Sequence, residues 1–416
     1  MTSTFSNQLR IGALSLFALS AAQIGAIPAV WAQQPPPAAP AAPAPAAPAG
    51  PTAMANPSMA GPLVANPDPW HLDVTPFFGP MYVSGAASIL GLAQTDPIRP
   101  GPERNFMGDI SNAQATLQTT EGLFQFFLEP GIYSLPTVGV PYSATKMSTT
   151  NNFFTGLPVA WGKIAPTDYF NIQGGKLPTL IGAEYMFTFQ NMNIQRGLLW
   201  NQEPIVSRGV QANLTTGPVA WALSGNDGYY SGRYNWISGS ATWTIDPANS
   251  LVVAGGGALS RITAVGPATP LPQNNSTIFD ISYTYNAAPW TITPYFQYSI
   301  VGKDKVLGFG QDAETFGGAI LANYKINDLW NLAGRWEYIA STGSAAKGAP
   351  DLLGYGPGSS AMSFTLTPTF QNGYYFIRGE GSVTQLFSTT PGSALLFGTG
   401  KTRTQGRFLV ETGFVF

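Results

Sequence analysis

The sequence predicts an all-β chain: a transmembrane antiparallel up-and-down β-barrel of about sixteen strands, behind a cleaved signal peptide and a Pro/Ala-rich linker. Three observations predict it. Charged residues make up 10% of the 416 residues while aromatics reach 12%, against roughly 25% charged in soluble globular domains. From Trp70 onward the chain breaks into strand-length stretches that alternate apolar and polar side chains, as a strand does when one face meets lipid and the other a wet bore. The connections between those stretches alternate short with long, the asymmetry of a barrel with tight turns at one rim and extended loops at the other.

The N-terminus reads as an export signal. Arg10 precedes the apolar stretch IGALSLFALSAAQIGAIPAV, and Val30-Trp31-Ala32 offers a small-residue cleavage site before Gln33, so residues 1–32 form the expected signal peptide. A membrane anchor helix is the alternative, since no proline interrupts the stretch before Pro28; the Val-x-Ala site and the extracytoplasmic character of the rest favour the signal. Residues 33–69 contain PPPAAPAAPAPAAPAGP. Such a segment buries too little apolar surface to fold, and proline biases it toward an extended spacer, so it is expected to be a disordered periplasmic linker before a barrel at residues 70–416.

The faces separate by parity. In PWTITPYFQYSI, Trp290, Ile292, Pro294, Phe296, Tyr298 and Ile300 share one side, while Thr291, Thr293, Tyr295, Gln297 and Ser299 share the other. AMSFTLTPTF opposes Met362, Phe364, Leu366, Pro368 and Phe370 to Ser363, Thr365, Thr367 and Thr369. In LWNLAGRWEY the outward set is Trp330, Leu332, Gly334, Trp336 and Tyr338, and the charged Arg335 and Glu337 fall inside. Strands are expected near residues 71–88, 110–118, 121–133, 157–164, 168–177, 206–215, 217–226, 234–245, 249–260, 275–286, 288–300, 312–325, 327–341, 358–371, 372–386 and 403–416. An even count with short turns at one end places both termini in the periplasm. A soluble β-sandwich also has many short strands, but its outer face should carry charge where these carry Trp, Tyr, Phe and Ile.

The last stretch, RFLVETGFVF, sets Phe408, Val410, Thr412, Phe414 and Phe416 against Leu409, Glu411, Gly413 and Val415. An open edge there would invite aggregation, so the strand is expected to pair on both sides, closing onto the first. Phe416 then sits in the periplasmic aromatic girdle. A terminal aromatic also resembles what bacterial outer-membrane barrels present to their assembly machinery.

Composition excludes much chemistry. With no cysteine there is no disulfide, thiolate nucleophile or thiolate metal site, and the lone histidine, His71, leaves nothing for a multi-histidine metal centre. No catalytic residue, metal or cofactor is expected. The balance of 19 basic and 21 acidic residues gives no reason to expect nucleic acid as a partner; the expected partners are outer-membrane lipid, small hydrophilic solutes, the assembly machinery through Phe416 and a second copy in a homo-oligomer.

One connection stands apart. Residues 175–204, GKLPTLIGAEYMFTFQNMNIQRGLLWNQEP, alternate poorly and exceed a bare hairpin loop. Folded into the lumen, they would narrow it and present Glu184 and Arg196 to solutes; an extracellular cap or an additional strand pair are the alternatives. Gly182-Ala183-Glu184, Asn191, Asn193, Arg196-Gly197-Leu198-Leu199-Trp200, Glu203-Pro204 and Gly209 together resemble the characteristic segment of the OmpL-like outer-membrane β-barrel porins. Gln195 stands where that family commonly has Ser. The resemblance implies a porin and does not identify its solute.

On the expected lumen face lie Asp280, Arg335, Glu337, Arg378, Glu380, Arg407 and Glu411. Arg335-x-Glu337 and Arg378-x-Glu380 project both charges to one side, where opposed rows would set a transverse field across a channel; salt bridging that stiffens the wall is the plainer role. The leading expectation is therefore an outer-membrane porin for passive diffusion of small hydrophilic solutes. A surface adhesin or binding scaffold on a plugged barrel is the alternative. A barrel enzyme is weaker, because His71 would lie at the periplasmic end of its strand.

Overall fold

Strict two-residue alternation leaves each strand with one face that must find lipid and one that must find water or polar partners, and a closed sheet satisfies both. The computed structural model describes residues 60–75, 78–98, 103–148, 150 and 153–416. The expected signal peptide and residues 33–59 of the expected linker lie outside the described residues.

The sheet contains β1 (Trp70–Thr75), β2 (Gly79–Gln94), β3 (Phe106–Thr119), β4 (Phe124–Glu129), β5 (Gly131–Tyr133), β6 (Val159–Thr167), β7 (Phe170–Pro178), β8 (Val206–Thr216) and β9 (Val219–Asn226). It continues with β10 (Trp236–Asp246), β11 (Asn249–Ala258), β12 (Ser276–Ala287), β13 (Trp290–Val301), β14 (Ala313–Lys325), β15 (Trp330–Ser341), β16 (Ser360–Asn372), β17 (Tyr375–Phe387) and β18 (Thr404–Val415). Each wall strand pairs antiparallel with the next, and β18 closes on β2 from Arg407↔Gln94 to Val415↔Ala86. β4 and β5 are two pieces of one wall strand, separated at Pro130, which has no N–H to give to the ladder. Counting them as one and setting β1 aside, sixteen strands close the barrel.

The first strand differs from expectation. Residues 71–88 do not form one strand: β1 folds back on the start of β2, pairing Trp70↔Val83 and Leu72↔Met81, and β2 runs on to Gln94. β18 and β1 share one edge of β2, with Phe416 exchanging backbone hydrogen bonds with Gly85 at 2.8 and 2.9 Å between them. The period was hidden because Leu90 and Leu92 point inward although apolar, where they pack with Ile194, Leu409 and Tyr142. β3 likewise starts at Phe106, ahead of the expected residue 110, and its register slips opposite Ser88 and Ile89, a bulge of the kind that bends a barrel strand.

The outer face is aromatic at one rim. Trp290 pairs with Tyr324 (centroids 4.7 Å apart), Trp330 with Phe370 (5.1 Å) and Tyr375 with Phe414 (5.6 Å), all beside short turns. Such cross-strand pairs build the girdle of a membrane interface. The opposite rim carries the long connections, among them the one from β5 to β6 and residues 179–205, 259–275, 342–359 and 388–403.

Candidate functional site

Residues 179–205 leave the long-loop end of β7, enter the barrel and return to β8. The segment has only two short 3-10 turns, Thr188–Gln190 and Leu199–Gln202, so most of its N–H and C=O groups lack local partners. Inside a barrel such groups are costly unless the wall satisfies them. The wall does so, and with charge.

Glutamates take the amides. Glu380 accepts the N–H of Ile194 at 2.5 Å and of Gln195 at 3.0 Å, along with the Gln195 side-chain amide at 2.9 Å and the Thr367 hydroxyl at 2.8 Å. Glu337 accepts the Leu198 N–H at 2.7 Å and the Ser363 hydroxyl at 2.5 Å. Asp280 accepts the Gly182 N–H at 2.6 Å.

Arginines take the carbonyls. Arg335 donates to the carbonyl of Gln195 at 2.6 Å and to Glu184 at 2.6 Å, with Glu337 at 3.2 Å. Arg378 donates to the carbonyls of Thr188 (2.9 Å) and Asn191 (3.2 Å) and bridges to Glu411, which also accepts the Thr188 hydroxyl at 2.5 Å. Arg407 donates to the carbonyls of Thr137 (2.6 Å) and Val140 (2.8 Å) in the neighbouring inward-leaning loop, and pairs with Glu103 at 3.2 Å.

All nine residues singled out from sequence therefore lie inside the barrel, none more than 5% exposed. Their partners differ from the expected ones in one respect: Arg378 does not bridge Glu380 two residues on, but Glu411 on the adjacent strand. Glu184 belongs to the inward segment itself and also accepts the Gly197 N–H at 2.7 Å. Arg196 is fully buried with its guanidinium 5.1 Å from the Trp200 ring centroid, and its side-chain nitrogens have no hydrogen-bond partner. Burial lowers its pKa to about 10, which leaves it cationic at neutral pH.

Several contributors were not singled out from sequence. Asn112 on β3 donates to the Thr188 hydroxyl at 2.6 Å, Thr367 on β16 accepts from Asn193 at 2.8 Å, and Gln297 on β13 donates to Glu203 at 2.7 Å. Each is a polar residue on an inward face, so parity was their only signal. On the other side the segment meets an apolar wall, where Met186, Phe187 and Val206 cluster with Phe127, Val159 and Trp161. Residues of the expected linker also take part: the N–H groups of Ala60 and Gly61 donate to the carbonyl of Gln190 at 2.9 and 3.0 Å, and Leu63 is buried in the same cluster. His71 sits exposed on β1, near the Tyr82 ring.

The fold is that of known porins. The chain is similar to an anion-selective porin from Comamonas acidovorans, with a TM-score of 0.55 at 11% identity over 81% of this chain and 99% of that one. It is similar to the outer membrane channel DcaP of Acinetobacter baumannii, with a TM-score of 0.53 at 9% identity over 81% and 97% of the two chains. A comparable likeness holds to outer-membrane expressed OmpT of Vibrio cholerae, with a TM-score of 0.53 at 9% identity over 83% and 100%. No curated protein matches the chain by sequence. The family described as "putative beta-barrel porin-2, OmpL-like" matches residues 82–416, and the chain belongs to it as an integral outer-membrane porin.

Proposed function

We propose that the barrel passes small hydrophilic solutes by passive diffusion, with residues 179–205 as its constriction. The observation that carries this reading is the wall's investment in that segment: charged side chains of β12, β15, β17 and β18 hold its amides, carbonyls and side chains. A segment held so firmly at a set position defines the size of the remaining passage. On this reading Asp280, Arg335, Glu337, Arg378, Glu380 and Glu411 act by holding the constriction, Arg407 by holding the loop beside it, and Glu184 and Arg196 belong to the constriction itself. Both described ends of the barrel, near Trp70 and Phe416, lie at the short-turn rim, which supports a periplasmic placement of the termini. Phe416 at the seam suits the assembly machinery, and a homo-oligomer is consistent with the barrel's broad apolar exterior.

One observation favours the plugged scaffold as a second reading: the inward faces of β15 to β18 are covered rather than wet. Liposome swelling separates the two. Solute-dependent swelling by the purified protein, increased when residues 186–199 are deleted, is expected of the channel. Vesicles that stay sealed with both proteins would leave the scaffold.

A further inference from the structure

The exposed charges are sorted between the two rims. Of the ten exposed lysines and arginines among the described residues, nine lie in long connections, and only Lys325 stands beside a short turn. Of the six exposed carboxylates the long-loop rim keeps one, Asp312, while Asp168, Asp246 and Asp328 sit beside short turns. Seven of the eight long connections carry at least one exposed base, and the exception is residues 179–205, which turn into the barrel. The cations therefore encircle the barrel. A soluble anion would dock on one face, whereas a leaflet of anionic head groups surrounds the barrel and meets every connection.

One place on this ring has room for a lipid beside it. On the outer wall, next to the β2–β3 and β17–β18 connections, an open cleft of about 540 Å³ is walled by Phe106, Phe364 and Phe408 and floored by Gly381 and Gly406. The register explains the gap: Gly381 lies opposite Phe408 and Gly406 opposite Val383, so two glycines interrupt an otherwise apolar outer face. A Cβ added at Gly381 meets nothing within 4 Å, and one at Gly406 meets only the Thr95 hydroxyl, at 3.9 Å. The three phenylalanines are exposed, and an acyl chain laid between them would cover their apolar faces.

Cations stand at the head of the cleft. Arg104 precedes Phe106 by two residues and shares its outward parity, and Arg403 immediately precedes β18. The two connections are tied together at Asp96, whose carbonyl accepts the Gly398 N–H and the Gln405 side-chain amide, both at 3.1 Å, and whose carboxylate accepts the Thr402 hydroxyl at 3.2 Å. The other acid nearby, Glu103, is buried and pairs with Arg407 at 3.2 Å. Arg104, Lys401 and Arg403 form no ion pair among the described residues. Across β2 the backbones of β3 and β18 are about 10 Å apart, a span over which two guanidinium side chains can converge on one phosphorylated head group.

We propose that the cleft beside Arg104 and Arg403 is a binding site for a phosphorylated lipid of the outer leaflet. The two guanidinium groups hold its phosphate, and one of its acyl chains lies over Gly381 and Gly406 between the phenylalanines. The choice of leaflet rests on the reading that places the termini in the periplasm and the long loops outside; the site itself does not depend on the barrel's conducting solutes.

Native mass spectrometry of the purified protein tests it, because the spectrum counts both bound lipid and protein copies. Diphosphoryl lipid A should be retained about tenfold better than the same lipid stripped of its phosphates. Arg104→Gln combined with Arg403→Gln should abolish that preference. Gly381→Leu, whose side chain enters the empty cleft, should lower retention of both lipids by about threefold or more. A strand-rich circular dichroism spectrum checks the fold of each variant, and Gly406→Leu takes the place of Gly381→Leu if the latter does not fold. Equal retention of the two lipids, or a preference that survives the loss of both arginines, overturns the head-group contact. Retention unchanged by the leucine, or a loss of protein oligomers in place of lipid, overturns the cleft. Displacement of lipid A by an equal concentration of inorganic phosphate would show that the site reads phosphate alone and overturn the lipid assignment. The leaflet has its own readout: Lys305→Cys, in a chain with no other cysteine, should react with a membrane-impermeant maleimide on intact cells. Labelling only after the outer membrane is broken would overturn the outward placement of the long loops, whatever the lipid measurements give.

Discussion

Glu380 on β17 accepts the backbone N–H of Ile194 at 2.5 Å, across 186 residues of sequence. The contact joins the barrel wall to the middle of the inward segment, and the same carboxylate also binds the next amide. Hydrogen bonds to a charged group contribute about 1.5–3 kcal/mol each, so this single side chain holds more of the segment than any neutral wall residue could. The pattern recurs at Glu337 and Asp280, and in mirror image at Arg335 and Arg378, which take carbonyls.

Replacing that carboxylate should loosen the segment without opening the barrel. Glu380→Gln keeps the shape but turns one acceptor into a donor facing donors, and the loss should be about 2–4 kcal/mol locally. Amide exchange at Ile194 and Gln195 should speed by on the order of 30-fold or more, with exchange in β12 to β16 unchanged. Mass-spectrometric hydrogen exchange on the detergent-solubilised protein reads this directly, and undiminished protection at both amides would show that the wall contact does not hold the segment.

The architecture was legible in residues such as Phe408, Val410 and Phe414, whose parity alone separates lipid from lumen. It was illegible at Leu90 and Leu92, because an inward face covered by protein no longer needs to be polar. The charged candidates were found by the same parity, yet their function as anchors was not visible. Arg378 and Glu380 stand two residues apart and invite pairing, whereas Arg378 pairs with Glu411 directly opposite on the adjacent strand, and the two reach Thr188 and Ile194, respectively, in an irregular segment with no period. Local spacing reports which face a side chain takes. It does not report what has been folded against that face.

The buried carboxyl at the end of the inward segment should appear in a pH profile. Glu203, at the exit of the inward segment, accepts from Gln297 at 2.7 Å, and its carboxylate packs against Gly182, where an added Cβ would lie 1.9 Å from an oxygen. Burial pushes its carboxyl well above the ordinary range, the nearby Asp280 and Glu184 carboxylates add to the rise, and hydrogen bonds from Gln297 and Tyr295 oppose it. The folded chain thus holds this proton more tightly than the unfolded one. Its stabilising contribution is complete below the unfolded carboxyl value of about 4.3 and is lost as pH rises through the folded value. Thermal stability should therefore fall as pH is raised above that lower limit, and Glu203→Gln should flatten the decline. A slope identical in the variant would assign the pH dependence to other groups.

The stretch ahead of β1 should be held by the same segment. Ala60 and Gly61 bind the Gln190 carbonyl, Val64 exchanges two hydrogen bonds of 2.8 Å with the Gln371 side chain, and Leu63 is 3% exposed. Gly61 lies so close to Asn191 that a Cβ would meet its carbonyl oxygen at 2.3 Å. No side chain fits there unless the two backbones separate. Because the chain has no cysteine, Leu63→Cys creates a unique thiol whose reaction with a maleimide reports release of this stretch. In the otherwise natural chain the thiol should react slowly. Adding Gly61→Val should speed labelling about tenfold or more, since the valine drives residues 60–64 off the inward segment, while a cysteine placed at exposed Val64 should gain little. Equal labelling rates at position 63 with and without the valine would show that Leu63 is not seated through Gly61.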